Sequence, residues 1–195
     1  MKYLKMLGIA AVAALPAFLA GSASATTLEV KGVAQNQAVT FYGSSLNSMK
    51  LARTDGSMAN TCTDSSLQAT TEAPFTSTAL IKTVSATVSE LKFEECTKAV
   101  QVHKAGKLSI AYSGGVTGTD GTVTSSGAEI TVGSPFGTLN CKTGEGVDIG
   151  TLTGQSSGFA GLDIKAVLNC GFLVPSAVWE GGFTILTPVA LGVIE

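Results

Sequence analysis

A chain of 195 residues, with 12 Lys and Arg against 14 Asp and Glu and only 13% charged residues, has the length of one domain. It carries neither the basic stripe of a nucleic-acid binder nor the composition of a disordered segment. Hydrophobic residues make up 45%, enough for a core that hides about 70% of the surface an unfolded chain of this size exposes.

Residues 1–5 are basic, residues 6–20 form an apolar run, and Gly21-Ser-Ala-Ser-Ala25 follows. This is the layout of a secretory signal, in which Ala23 and Ala25 supply the small side chains that the peptidase requires, so cleavage is expected before Thr26. Residues 1–25 are thus read as a signal peptide and residues 26–195 as a single domain. The apolar run covers about fifteen residues where a spanning helix needs roughly 20, and Pro16 interrupts it. No later segment is long and apolar enough to span, so the processed protein is expected to be periplasmic or secreted, with association at the cell surface as a further option and no membrane span.

Leu28 and Val30, then Val39 and Phe41, predict two short strands around the polar break Gln35-Asn-Gln37. Thr54-Asp-Gly-Ser57 predicts a turn, because glycine takes the positive φ that tight turns demand. Ile81, Val84, Val88 and Leu91 have helical spacing, yet their segment is rich in Thr, Ser and Val; it is read as a strand or one short helix. Leu108, Ile110 and Tyr112 alternate with Lys107, Ser109 and Ala111 as a half-buried strand does. Thr119-Asp-Gly-Thr122 predicts a second turn. Thr122-Val-Thr124 and Ala128-Glu-Ile-Thr-Val132 flank Ser125-Ser-Gly127 as a hairpin would. Val147, Ile149 and Thr151 give another alternation, and Leu162, Ile164, Ala166 and Leu168 the clearest one. Many short strands without crossover helices imply antiparallel pairing in a sandwich or a barrel. The expected fold is all-β, with an antiparallel β-sandwich, jelly-roll or Ig-like, preferred.

Cys62, Cys96, Cys141 and Cys170 are four cysteines in an exported domain, and an even count there reads as two disulfides. Three connectivities are possible. Cys62 with Cys96 and Cys141 with Cys170 is favoured, since these pairs stand 34 and 29 residues apart. Loop closure makes each worth roughly 3 to 4 kcal/mol. A zinc site would need closely spaced ligand pairs, which the sequence lacks.

The chemical motifs fail on context. Gly154-Gln-Ser156-Ser-Gly158 matches the nucleophile elbow in letters, but a strand pattern follows where a helix is required. Ser89-Glu-Leu-Lys92 lacks partner motifs. His103 is the single histidine and sits in a strand-like run, and a cysteine held in a disulfide cannot attack. Glu94 and Glu95 would point to opposite faces of an extended segment. The two Asp-Gly turns lack the alternating acidic ligands of a calcium loop. No catalytic, cofactor-binding or metal-binding residues are therefore assigned, and the protein is read as non-enzymatic. Trp179, Tyr42 and Tyr112 are weak ligand candidates as an aromatic platform for a sugar, although Tyr112 and Trp179 are both in phase with core residues. A carboxylate-dependent hydrolase is the rival from another class, because its two acids can come from distant positions.

From Gly121-Thr-Val-Thr-Ser-Ser-Gly-Ala-Glu-Ile-Thr-Val132 through Gly150-Thr-Leu-Thr-Gly154 to Trp179-Glu-Gly-Gly-Phe183, the chain resembles a group of secreted bacterial β-sandwich proteins of unknown function, over roughly residue 96 to the end. By its export signal and Ser/Thr/Gly-rich strands it is more faintly similar to the family of the protein activator of alkane oxidation. These likenesses imply architecture and transfer no functional residue. The strand-like start Thr26-Thr-Leu-Glu-Val-Lys31 and Gly182, fourteenth from the end, also resemble fimbrial subunits, which insert one subunit's N-terminal strand into the next. Ile194 stands where those subunits carry tyrosine, and four cysteines exceed their usual number. Together these readings predict a structural, adhesive or binding protein whose partner is a surface polymer, a glycan or a second copy of itself, without a cofactor.

Overall fold

The computed structural model describes residues 26–57, 59–73, 83–134 and 137–195, and every regular element among them is a strand. The chain makes β1 (Thr27–Val30), β2 (Val33–Ala34), β3 (Thr40–Ser45), β4 (Met49–Arg53), β5 (Asn60–Thr71) and β6 (Val84–Cys96). Next come β7 (Val100–Lys104), β8 (Lys107–Gly114), β9 (Asp120–Ser126), β10 (Glu129–Ser134) and β11 (Gly137–Lys142). Last are β12 (Val147–Thr153), β13 (Ala160–Leu168), β14 (Ala177–Thr187) and β15 (Leu191–Ile194). The residues read as the export signal, Ala23 and Ala25 among them, lie outside the described residues, as does Ile81.

The main sheet closes on itself. β5, β6, β8, β9, β12, β13 and β14 follow one another around a ring, each antiparallel to its neighbours, and the eighth position is shared by β3 and β4. Both of these run antiparallel to β5 and to β14, so they are one strand broken at residues 46–48. Order around the ring equals order along the chain, which makes this an up-and-down barrel.

The expected sandwich is thereby corrected to a barrel. The cause is β14, whose 11 residues pair with β13 on one side and with β3 and β4 on the other, leaving no edge at which two sheets could separate. The alternation of side chains is the same in either architecture. Leu67, Ala69, Leu108, Ile110, Val123, Leu162, Ala166 and Leu168 are buried inside. Thr63, Asp64, Lys107, Asp163 and Lys165 are exposed on the outside, the reverse of the pattern of a membrane-spanning barrel.

Both ends of the ring are covered. At one end β1 pairs with β15, from Thr27 opposite Ile194 to Val30 opposite Leu191, and with β2. Leu28, Leu191 and Val193 are 0% exposed there. The Val193 N–H donates to the Thr119 carbonyl, the Gln155 N–H to the Leu191 carbonyl and the Tyr112 N–H to Thr26 Oγ1, all in the β8–β9 and β12–β13 connections or beside them. The N-terminal strand that resembled an exchangeable fimbrial strand is therefore paired within its own chain. At the other end β7, β10 and β11 leave the ring and form a side sheet in the order β11-β10-β7.

Several local expectations change. The hairpin around Gly127 does not form: the chain turns there at φ 72°, but β9 already has β8 and β12 on its two edges, so β10 departs to the side sheet. The segment with helical spacing is the strand β6, as its Thr, Ser and Val content favours. In β12 a bulge near Gly150 shifts the alternation, so Ile149 and Leu152 are buried while Thr151 is exposed. Thr54-Asp-Gly-Ser57 is a turn, with the Asp55 carboxylate accepting from the Ser57 N–H at 2.8 Å. Thr119-Asp-Gly-Thr122 instead opens β9, where buried Asp120 accepts from the Gly154 N–H at 3.0 Å.

The disulfides are Cys62–Cys96 and Cys141–Cys170, the favoured connectivity. The first joins directly opposite residues of β5 and β6. The second ties β11 of the side sheet to the connection between β13 and β14. Two such bonds suit an oxidising, extracytoplasmic environment.

Candidate functional site

The side sheet does not fill the end that it covers. Between it and the barrel lies a cavity of about 80 Å³, walled by Met49, Leu67, Val88, Ile149, Leu162 and Phe183 from the barrel and by Ile130 and Cys141 from the side sheet. Half-buried Leu91, Phe93, Ala105 and Ile164 also line it and open it towards solvent. Ser125 and Thr143 are the polar residues of the lining, which holds no charged side chain. Thr143 Oγ1 is engaged, accepting from the Ala128 N–H at 3.0 Å. An eight-stranded barrel has an interior just wide enough to be filled by side chains or to take one small ligand, and here the fill is incomplete.

Trp179 on β14 lines the same cavity and is 8% exposed. Its ring packs on Phe93, with centroids 4.1 Å apart and planes tilted by 54°. The indole Nε1 is buried and has no hydrogen-bond partner among the described residues. Indole nitrogen is a donor only, and buried tryptophan N–H groups ordinarily find an acceptor. Ser65 Oγ is likewise buried and without a partner among the described residues. Ser65 stands directly opposite Phe93, and opposed residues of an antiparallel pair share a face.

The side sheet over the cavity is cross-linked by charge. Glu129 on β10 meets Lys104 of β7 at 2.9 Å and Lys142 of β11 at 3.3 Å, so one carboxylate spans all three strands. The Lys104 hydrogen bond, aided by Lys142, holds the Glu129 carboxyl below its ordinary value of 4.5, against a smaller opposing effect of burial. A carboxyl depressed in the folded state stabilises above its unfolded value, and that contribution is lost as pH falls through the folded value. The deficit in urea midpoint of Glu129→Gln relative to the native protein, present at about pH 6, should therefore shrink as the pH falls below 4.5. A gap unchanged over that range would assign the loss to packing rather than to charge.

The residues singled out by sequence are not gathered at one place. Trp179 is in the cavity wall, Tyr112 is half-buried with its hydroxyl 3.4 Å from the Gly118 carbonyl, and Tyr42 is exposed, so the three rings form no shared platform. His103 is exposed on β7, 3.1 Å from Thr131 Oγ1. Ser156 sits in the bend between β12 and β13, and the Ser89 hydroxyl donates to the Gln68 carbonyl. Glu94 and Glu95 are both exposed, because Glu95 leaves the extended conformation at φ 50°. Leu91 and Phe93 were not anticipated as site residues. Their signal was present, since they alternate with Glu90, Lys92 and Glu94 in the sequence. Among the described residues no group of three His, Cys, Asp or Glu could hold a metal ion. No protein-family model matches the chain, and comparisons with curated proteins and with solved structures gave no match.

Proposed function

We propose that the protein is a non-enzymatic binding protein, exported to the periplasm or the cell exterior, that takes a small apolar molecule into the space between its barrel and the side sheet. The observation that carries this reading is the cavity beside Trp179, whose accessible lining is apolar and uncharged. Apolar lining favours burial of apolar ligand surface at about 25 cal/mol per Å², and an uncharged wall offers no acid or base for hydrolysis. At about 80 Å³ the space is near half of the 150 Å³ that holds benzene in an engineered cavity, so the guest is slim. Export is supported by the two disulfides and by the layout of residues 1–25.

Trp179 is the one tryptophan of the chain, so its fluorescence reports on the cavity without interference. Titration with pentane is expected to change that emission saturably. Ala166, 4% exposed and in the lining, can be enlarged to fill the space. Ala166→Leu should weaken pentane binding at least about tenfold, the equivalent of 1.4 kcal/mol, while leaving far-UV and near-UV circular dichroism native. An emission insensitive to pentane, or a folded Ala166→Leu variant that binds it undiminished, would remove the cavity as the site.

A further inference from the structure

An apolar cavity alone selects for size and shape. The wall of this one is interrupted by a free hydroxyl. Ser125 stands on β9 opposite Leu108 of β8 and Val147 of β12, at an inward position whose neighbours Val123 and Ile149 are aliphatic and buried. It is itself 5% exposed and lines the cavity. Its Oγ makes no hydrogen bond among the described residues, yet it is not sealed within the wall as Trp179 Nε1 and Ser65 Oγ are. The surface that this hydroxyl keeps therefore belongs to the cavity that the residue lines. Thr143, the other polar residue there, already has its oxygen engaged by the Ala128 N–H.

A serine hydroxyl both donates and accepts, so it pairs with any neutral oxygen-bearing head group. An alkane filling the space would strip water from that hydroxyl and leave it unpaired, a loss that a ligand oxygen avoids. A carboxylate or phosphate would shed its own hydration where the lining holds no cation. We infer that the ligand is a slim, neutral amphiphile, an aliphatic chain ending in one hydroxyl or carbonyl oxygen, whose polar end hydrogen-bonds to Ser125 Oγ. This rests on the binding function proposed above and specifies its ligand class. The aliphatic body lies against the apolar lining, with Leu67, Leu162 and Phe183 among its contacts.

The test pairs 1-butanol with pentane, which differ by a hydroxyl in place of a methyl group, and adds butanoate at neutral pH. Each is titrated into the full protein and into Ser125→Ala, with the emission of Trp179 in the same lining as the readout. Water solvates the alcohol better than the alkane, so the informative quantity is the change in each affinity when the wall loses its hydroxyl. Ser125→Ala is expected to weaken butanol about fivefold, within the net yield of one hydrogen bond, and to leave pentane within about twofold. Butanoate is expected to bind at least about tenfold more weakly than butanol. Because the hydroxyl has no partner within the fold, the urea midpoint of the variant should equal or exceed the native one. A butanol affinity that survives the substitution, or butanol and pentane weakened alike, would overturn the anchor while the apolar site stands. A lowered midpoint would do the same, by showing that the hydroxyl is already bonded within the fold. Butanoate binding as well as butanol would overturn the requirement for a neutral head. Native protein that takes neither pentane nor butanol would bring down the apolar site itself.

Discussion

Alanine at position 150 is expected to lower the unfolding free energy by roughly 4 kcal/mol, the largest loss from a single methyl group in the barrel wall. Gly150 has φ +144°, a backbone region that side chains rarely adopt, and a Cβ built there would stand 1.9 Å from the backbone carbonyl oxygen of Asp163 on β13. The strain costs about 1–3 kcal/mol. Forcing β12 and β13 apart costs a further 1–3 kcal/mol or so. The position is the bulge that re-aims β12, placing Ile149 and Leu152 inside, so a relaxed variant would have to lose register as well. Gly161→Ala on the facing strand is the control: nothing lies within 4 Å of its Cβ and its φ is ordinary, so its effect should stay within about 0.5 kcal/mol. Urea unfolding of the two variants makes the comparison, and a Gly150→Ala midpoint within error of Gly161→Ala would show that the bulge yields without penalty.

Removing the clasp between the two sheets should cost nearly as much but in a different place. Loop closure over a separation of 29 residues makes Cys141–Cys170 worth about 4 kcal/mol, and Cys62–Cys96, with a separation of 34, about the same. The two bonds differ in what remains when they are gone. Cys62 and Cys96 face each other within the long β5–β6 ladder, which continues to hold them together. Cys141 and Cys170 join separate layers, supported locally by the reciprocal hydrogen bonds of Lys142 and Asn169 at 2.9 and 3.0 Å. In Cys141→Ala/Cys170→Ala, amide exchange is expected to rise first across β10 and β11, and pentane affinity to fall with it, because Ile130 and Cys141 are part of the cavity wall. Cys62→Ala/Cys96→Ala should lose a similar total stability without that regional pattern. A uniform rise in exchange in both double variants would mean that the side sheet does not open independently.

The parts of this fold that local pattern encodes were legible, and those that depend on distant pairing were not. The alternation Leu162, Ile164, Ala166, Leu168 identified β13, and the cysteine spacings identified both bonds. Closure into a ring rests on pairs such as Ser45 with Phe183, at opposite ends of the sequence, and nothing in either segment announces its partner. Gly127 reads as a hairpin turn by its own chemistry. It joins strands of different sheets because β9 has no free edge, a fact fixed elsewhere in the chain. Trp179 was legible as a core residue from its phase with Phe183 and Ile185. That its N–H lacks a partner, and that Phe93 lies on its ring, follows from how the end of β6 passes the start of β14, which only the assembled barrel sets.

Thr27 opposite Ile194 places residues 26 and 195 side by side on the end plate remote from the cavity. A tether, dye or solid support attached at residue 26 or 195 would therefore hold the molecule with its cavity pointing away from the attachment.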